Sequence, residues 1–245
     1  MKLTTKFSLL LASVLLLSQS AYSQDDRDFR IGFKIIPGFN WVKTRTNDVR
    51  KDGSSIGFSF GLMSDIKLAD NYFFSPEINI TSMSNKVKMK DTTAYTLPGS
   101  GMYNSVSYKY NLKYFEIPLT FKFRTNESNG MRYWGQFGIA PGFIIGSNVS
   151  TLANPTKGNT KNFPTDEKYI PNDKDNDVYD FSEHSDNLNV LRCSMILGAG
   201  IEYNLSGNTS FYTGIRFNNG FTDFLGDNKS KAINNVLGIE LGIFF

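Results

Sequence analysis

Apolar side chains recur at every second position along most of this 245-residue chain. The last ten residues show the pattern: Leu237, Ile239, Leu241, Ile243 and Phe245 share one phase, and Val236, Gly238, Glu240, Gly242 and Phe244 the other. A period of two puts successive side chains on opposite faces of a strand, and it is incompatible with a helix, whose period is 3.6. Eight segments carry the pattern, at residues 29–40, 56–66, 72–80, 115–124, 133–145, 191–202, 211–218 and 236–245. In each, one phase is built from Phe, Ile and Leu and is almost free of charge, while the other mixes glycine with polar and charged residues.

The connections alternate as well. Segments two and three are joined around Asp70-Asn71, four and five by residues 125–130, and six and seven by residues 205–208, all rich in turn formers. The remaining connections, at 41–55, 81–109, 147–187 and 219–232, are long and polar. Short turns at one end, long loops at the other and an even number of strands define a bacterial outer-membrane barrel. Hydrocarbon cannot satisfy the open edge of a sheet, so the sheet must close. The expected fold is all-β: an eight-stranded antiparallel transmembrane β-barrel with short periplasmic turns and long extracellular loops. A soluble barrel or sandwich would alternate too, but its apolar phase would face inward. Here the polar phase carries mid-strand charges, which places the apolar phase against lipid.

The N-terminus supplies the route. Lys2 and Lys6 precede an apolar stretch from Phe7 to Leu17, and Ala21-Tyr22-Ser23 puts small residues at the positions a signal peptidase reads. Residues 1–23 read as a signal peptide cleaved before Gln24, and residues 24–245 as the barrel domain of a multi-pass protein of the cell outer membrane. The apolar stretch is too short to span a bilayer, which takes about 20 residues. A lone cysteine, Cys193, excludes an intramolecular disulfide. The net charge of +3 gives no case for a nucleic-acid partner. The expected partners are outer-membrane lipid, the barrel-assembly machinery and other outer-membrane or secretion-machinery proteins. A terminal aromatic behind alternating apolar residues makes Phe245 the candidate assembly signal.

Eight strands enclose a bore only wide enough for side chains. The inward phase places six basic residues there (Arg30, Lys34, Lys122, Arg124, Arg192, Arg216) with five acids (Asp65, Glu77, Glu116, Glu202, Glu240). A near balance of sign suits a paired, sealed lumen, since an unpaired buried charge is costly. A selective channel would show a surplus of one sign. Candidate chemistry outside the lumen is thin. His184 lies in "DFSEHSDN" with Ser182, Glu183, Ser185 and Asp186, but the members of a triad must converge in space rather than follow one another in sequence. Asp173, Asp175 and Asp177, with Asp180 beyond, form a weak candidate calcium loop. The glycine and glutamate that a helical calcium loop needs at its sixth and twelfth positions are replaced by Val178 and His184. Both clusters read as hydrated loop, and no catalytic residue and no cofactor is expected.

The segment "KYFEIPLTFKFR", Lys113 to Arg124, resembles the Glu-Ile-Pro strand of PorT-like outer-membrane β-barrel proteins of Bacteroidetes. "GFKIIPGFN", "FFSPEINI" and "FGIAPGFIIG" fall in the matching order, so the likeness covers residues 28–245. Pro118 falls in the inward phase of its strand, which calls for a bulge or break there. The resemblance implies an integral barrel without enzymatic activity and a role in a type IX-like secretion or gliding assembly of the outer membrane. It carries over no functional residue. A free-standing structural or surface-binding barrel that works through its long extracellular loops stays open beside it.

Overall fold

The computed structural model describes residues 28–45, 49–89, 103–155, 169–172, 176–179, 188–225 and 231–245. They form a single antiparallel sheet that closes on itself. Its staves are β1 (Phe29–Thr44), β3 (Ser54–Ala69), β4 (Tyr72–Met89), β5 (Tyr103–Glu116) continued by β6 (Leu119–Arg124), β7 (Met131–Pro155), β10 (Leu191–Ser206), β11 (Thr209–Gly220) and β12 (Ala232–Phe244). Each pairs with its neighbour in sequence, β7 pairs with β10, and β12 returns to β1 with Gly32 opposite Phe244 and Thr44 opposite Ala232. With β5 and β6 as one stave, the barrel has eight. Three short strands, β2 (Val49–Lys51), β8 (Tyr169–Asn172) and β9 (Asn176–Tyr179), lie at the end opposite Phe29 and Phe245.

Exposure follows the sequence phases. Phe29, Ile31, Phe33, Ile35 and Phe39 of β1 are all exposed, as are Phe58, Phe60 and Leu62 of β3 and Leu237, Ile239 and Ile243 of β12. From Phe29 to Phe39 the chain rises about 34 Å along the strand. At a tilt near 40° that is about 26 Å of height, close to the apolar band of an outer-membrane barrel. Tyr72, Tyr133 and Tyr203 ring the lower border, and Trp41, stacked on Phe217 at 6.0 Å, marks the upper one. Such aromatic girdles sit where hydrocarbon gives way to headgroups.

The tight turns are built where the backbone needs them. Asn71, Asn129, Gly130 and Gly207 all hold positive φ, the left-handed conformation that Gly and Asn tolerate best. Pro118 separates β5 from β6 without opening the wall. Its carbonyl accepts from the Glu77 amide at 2.9 Å, and the Ile117 amide donates to the Pro141 carbonyl at 2.9 Å.

The loops expected at 81–109 and 147–187 are shorter than the sequence pattern implies. β4 runs on to Met89, β5 starts at Tyr103, β7 reaches Pro155, and β8 and β9 form a hairpin beside β7. Likewise β1 continues to Thr44 and β2 pairs with β4 inside the expected connection 41–55. The physical reason is a reversal of polarity. Above the lipid the outer face meets water and becomes Ser82, Ser84, Lys86 and Lys88, while the inner face becomes Met83 and Val87. The apolar-out signature ends there, but the hydrogen-bonded ladder does not.

Candidate functional site

The lumen is filled at three levels. At the terminal end, Trp134 stacks on Tyr212 at 4.4 Å between ring centroids, Phe244 meets Tyr212 edge-on, and Met63 completes the cluster. Two cations lie on these rings: the Arg30 guanidinium is 4.0 Å from the centre of Phe244, and the Lys122 ammonium 4.8 Å from that of Tyr212. Placing a cation on an aromatic face compensates part of its lost hydration.

The charged residues singled out from the sequence come together in three groups. In the lowest, Arg30 bridges Asp65 at 2.7 Å and Glu202 at 2.6 Å, and Lys122 meets the other Asp65 oxygen at 2.7 Å. Ser75 donates to Asp65 as well, and Arg124 reaches Glu202 at 3.4 Å. In the middle group, Lys34 lies 2.6 Å from Glu77 and 3.0 Å from Glu240, while Arg216 lies 3.0 Å from Glu77 and 2.8 Å from Glu240. Tyr212 and Gln136 donate to Glu240 at 3.0 and 3.1 Å. In the upper group Arg192 pairs with Glu116, which also accepts from Thr81 at 2.6 Å. Contacts such as Lys34 with Glu77 and Arg216 with Glu77 cross the bore between distant staves, so the complete groups exist only in the closed barrel.

The wall is locally shaped to admit them. Inward glycines line the bore where bulky neighbours cross it: a Cβ on Gly214 would stand 2.4 Å from the Trp134 ring, and one on Gly61 would stand 2.0 Å from the Ile78 carbonyl. One buried charge was missed by the sequence reading. Arg132 opens β7 in the inward phase and contacts Glu127 at 2.5 Å and Glu202 at 3.5 Å. It stands one residue before the segment identified from periodicity, and the inward phase of Trp134 and Gln136, extended back by two, would have found it. Among the described residues seven cations thus face five carboxylates in the bore.

Above the charges sits an apolar plug. Phe224 and Leu225, from the segment between β11 and β12, fold into the mouth against Val42, Met83, Val87, Tyr110, Leu112, Tyr114 and Ala232. Backbone bonds hold that segment in place, from the Asn189 amide to the Phe224 carbonyl at 3.0 Å and from the Phe224 amide to the Ala232 carbonyl at 2.9 Å. Between the plug and the middle charges, Asn40, Ser59, Asn79, Thr81, Glu116 and Arg216 border a cavity of about 20 Å³. That is room for about one water molecule.

The remaining candidates stand apart from the lumen. Phe245 faces outward at the lower border, its amide donating to Ile31 at 2.9 Å and its ring edge-on to Phe33 at 6.3 Å. Cys193 is a free thiol in the outward phase of β10. His184, Asp173, Asp175 and Asp180, with the signal segment 1–23, lie outside the described residues, and Asp177 is placed only as a backbone position in β9. Among the described residues no group of His, Cys, Asp and Glu could hold a metal ion.

A closed eight-stave barrel with an apolar outer belt, aromatic girdles and a charged interior defines an outer-membrane β-barrel protein. The sequence matches the family described as "Outer membrane protein beta-barrel domain" over residues 18–226, and the chain belongs to that family. No curated protein matches it significantly. Among solved structures it is similar to Neisserial surface protein A, with 10% identity, a TM-score of 0.43 and coverage of 89% of this chain and 96% of that one. It is similar also to the outer membrane protein OprG from Pseudomonas aeruginosa, with 10% identity, a TM-score of 0.40 and coverage of 88% and 92%. The outer membrane protease OmpT from Escherichia coli matches with 9% identity, a TM-score of 0.36 and coverage of 92% and 99%.

Proposed function

We propose that the protein is a non-enzymatic, non-conducting barrel that works through its outer surfaces as a subunit of an outer-membrane assembly. The carrying observation is the occupied lumen: an aromatic cluster with the lowest charge group packed on it, two further charge groups and an apolar plug fill the bore. Among the described residues this filling supports a bore that takes neither a substrate nor a stream of ions, and it favours the lipid-facing wall and the extracellular rim as the functional surfaces. The resemblance of the strand order to PorT-like barrels is what supports a type IX-like secretion or gliding complex as that assembly. The charge groups are then structural, each fixing the bore in one arrangement. The test is co-purification from gently solubilised membranes, with an affinity tag inserted near Lys157 and partners identified by mass spectrometry. Secretion-machinery proteins recovered in fixed ratio are expected, and a protein that always migrates alone would count against the reading.

One observation favours a second role, a free-standing surface-binding barrel. β4, β5 and β7 continue above the apolar belt and receive the β8–β9 hairpin, which builds a hydrogen-bonded platform at the extracellular end. If the platform and its loops meet ligands, deleting residues 156–186 should abolish cell or matrix adhesion while the barrel still folds. Unchanged adhesion would remove this alternative.

A further inference from the structure

The outer face of β2, β4 and β5 opposes like charges. Lys86 stands directly across from Lys109, and Arg50 directly across from Lys88. Directly opposed side chains share a face with Cβ atoms about 5 Å apart, and like charges there are destabilising. Lys86 and Lys88 alternate with the buried Val87, as Lys109 and Lys113 alternate with the buried Tyr110 and Leu112, so all four point outward. Lys113 adds a fifth cation to the set, opposite Ser82. Among the described side chains no carboxylate pairs with any of the five, whereas every lumen cation has one.

Their position selects what could pair with them. Ile80 opposite Phe115 is the last apolar pair of the belt on these two strands, and Ser82–Lys113 is the next outward pair. Lys113 therefore projects about 7 Å beyond the hydrocarbon edge, measured along the strand. Lys86 and Lys109 stand about 20 Å along the strand from Ile80, or about 15 Å up the membrane normal at a tilt near 40°. The patch is continuous with the lipid-facing wall below it. A ligand with acyl chains against Ile78, Ile80 and Phe115 and acidic groups at two heights above them would meet both surfaces. A soluble anion would use only the upper one.

We infer that the outward cations of β2, β4 and β5 form a docking site for the phosphorylated sugar headgroup of outer-leaflet lipopolysaccharide. Lys113 takes a phosphate next to the acyl chains, and Lys86, Lys88, Lys109 and Arg50 take acidic groups on the inner sugars. The inference rests on the outer-membrane placement and not on the secretion reading, so a failed pull-down leaves it intact. Bound phosphate would relieve the repulsion of the opposed pairs, and the attraction would weaken with salt because Arg50 and Lys113 are exposed and the other three are only half-buried.

The test uses the purified full-length protein in neutral detergent and titrates it with fluorescent, core-truncated lipopolysaccharide. Expected is at least a tenfold loss of affinity in Lys86→Gln/Lys109→Gln/Lys113→Gln, with Lys67→Gln at the opposite rim unchanged. Equal affinity of wild type and triple variant would overturn the site. So would equal binding of the same glycolipid after dephosphorylation, or displacement of the lipid by millimolar inorganic phosphate, which would mark a soluble-anion site. A second readout does not depend on the triple variant folding. Lys109→Gln alone should raise the urea midpoint in lipid-free detergent while lowering lipopolysaccharide affinity severalfold. A lowered midpoint in lipid-free detergent would show that the opposed lysines do not repel, and would equally defeat the inference.

Discussion

Glu240 receives Lys34, Arg216, Tyr212 and Gln136 at the centre of the bore, where none of these groups can be hydrated freely. Glu240→Gln would leave two buried cations to share Glu77. Removing one partner of a buried pair costs about 3–5 kcal/mol, because the other charge stays buried and uncompensated. Urea unfolding of the refolded protein in detergent should show that loss, and adding Lys34→Met should recover most of it by restoring one cation to one carboxylate. A double variant no more stable than Glu240→Gln would mean that the middle group is not the unit described. Gly214 is tight for another reason. Its missing side chain leaves room for the Trp134 ring on one side and the Ala199 carbonyl on the other, each within 2.5 Å of where a Cβ would stand. Gly214→Ala must therefore displace the indole from its stack on Tyr212, at about 1–3 kcal/mol for overpacking. Altered near-ultraviolet circular dichroism with an unchanged strand signal is the expected outcome.

At the scale of the strand, legibility depends on which solvent the outer face meets. Within the belt the environment imposes apolar-out, polar-in alternation, so β11 and β12 are readable from residues such as Phe211, Ile215, Leu237 and Ile239. Above it β4 and β5 carry Val87 and Leu112 inside and lysines outside, which is the pattern of any soluble barrel, and it merges with polar loop composition. The plug is harder still to read. Phe224 and Leu225 are two apolar residues in a polar connection, and only closure of the sheet shows what they fill. The lumen charges were legible as a set because their phase is fixed, but their partners were not, since pairing across the bore depends on stagger. Phe245 is a strand-scale test. Register between β1 and β12 is held from Gly32–Phe244 to Thr44–Ala232, so deleting Phe245 removes one hydrogen bond and one ring contact. The stability loss should be about 1–3 kcal/mol. If Phe245 is also the signal read during assembly, its deletion should cut the amount of barrel in the outer membrane much more than it slows refolding into detergent. Equal effects in cells and in detergent would make it an ordinary terminal residue.

For the molecule as a whole, the three fillings act in series, and an ion must pass all of them. The lower aromatic cluster, the charge groups and the upper plug draw on different side chains and largely different chemistry, so truncating one side chain leaves most of the others in place. Trp134→Ala thins the terminal end, yet Arg30, Asp65 and Glu202 still hold one another there, Lys34, Glu77, Arg216 and Glu240 do so above, and Phe224 and Leu225 still cover the mouth. Planar bilayers containing the wild-type protein or Trp134→Ala should therefore show no steady conductance. Phe224→Ala, which opens only the other end, should behave the same way while losing about 3–5 kcal/mol of stability for the core it vacates. Conductance is expected only when every level is breached; Trp134→Ala/Glu240→Ala/Phe224→Ala still keeps Arg30 with Asp65 and Glu202 below and Arg192 with Glu116 above, so it too should stay closed. A steady current through the wild type at modest voltage would show that the charge groups rearrange on their own. The bore would then be a gated path rather than a sealed one, and the surfaces would lose their claim to be the sole seat of function.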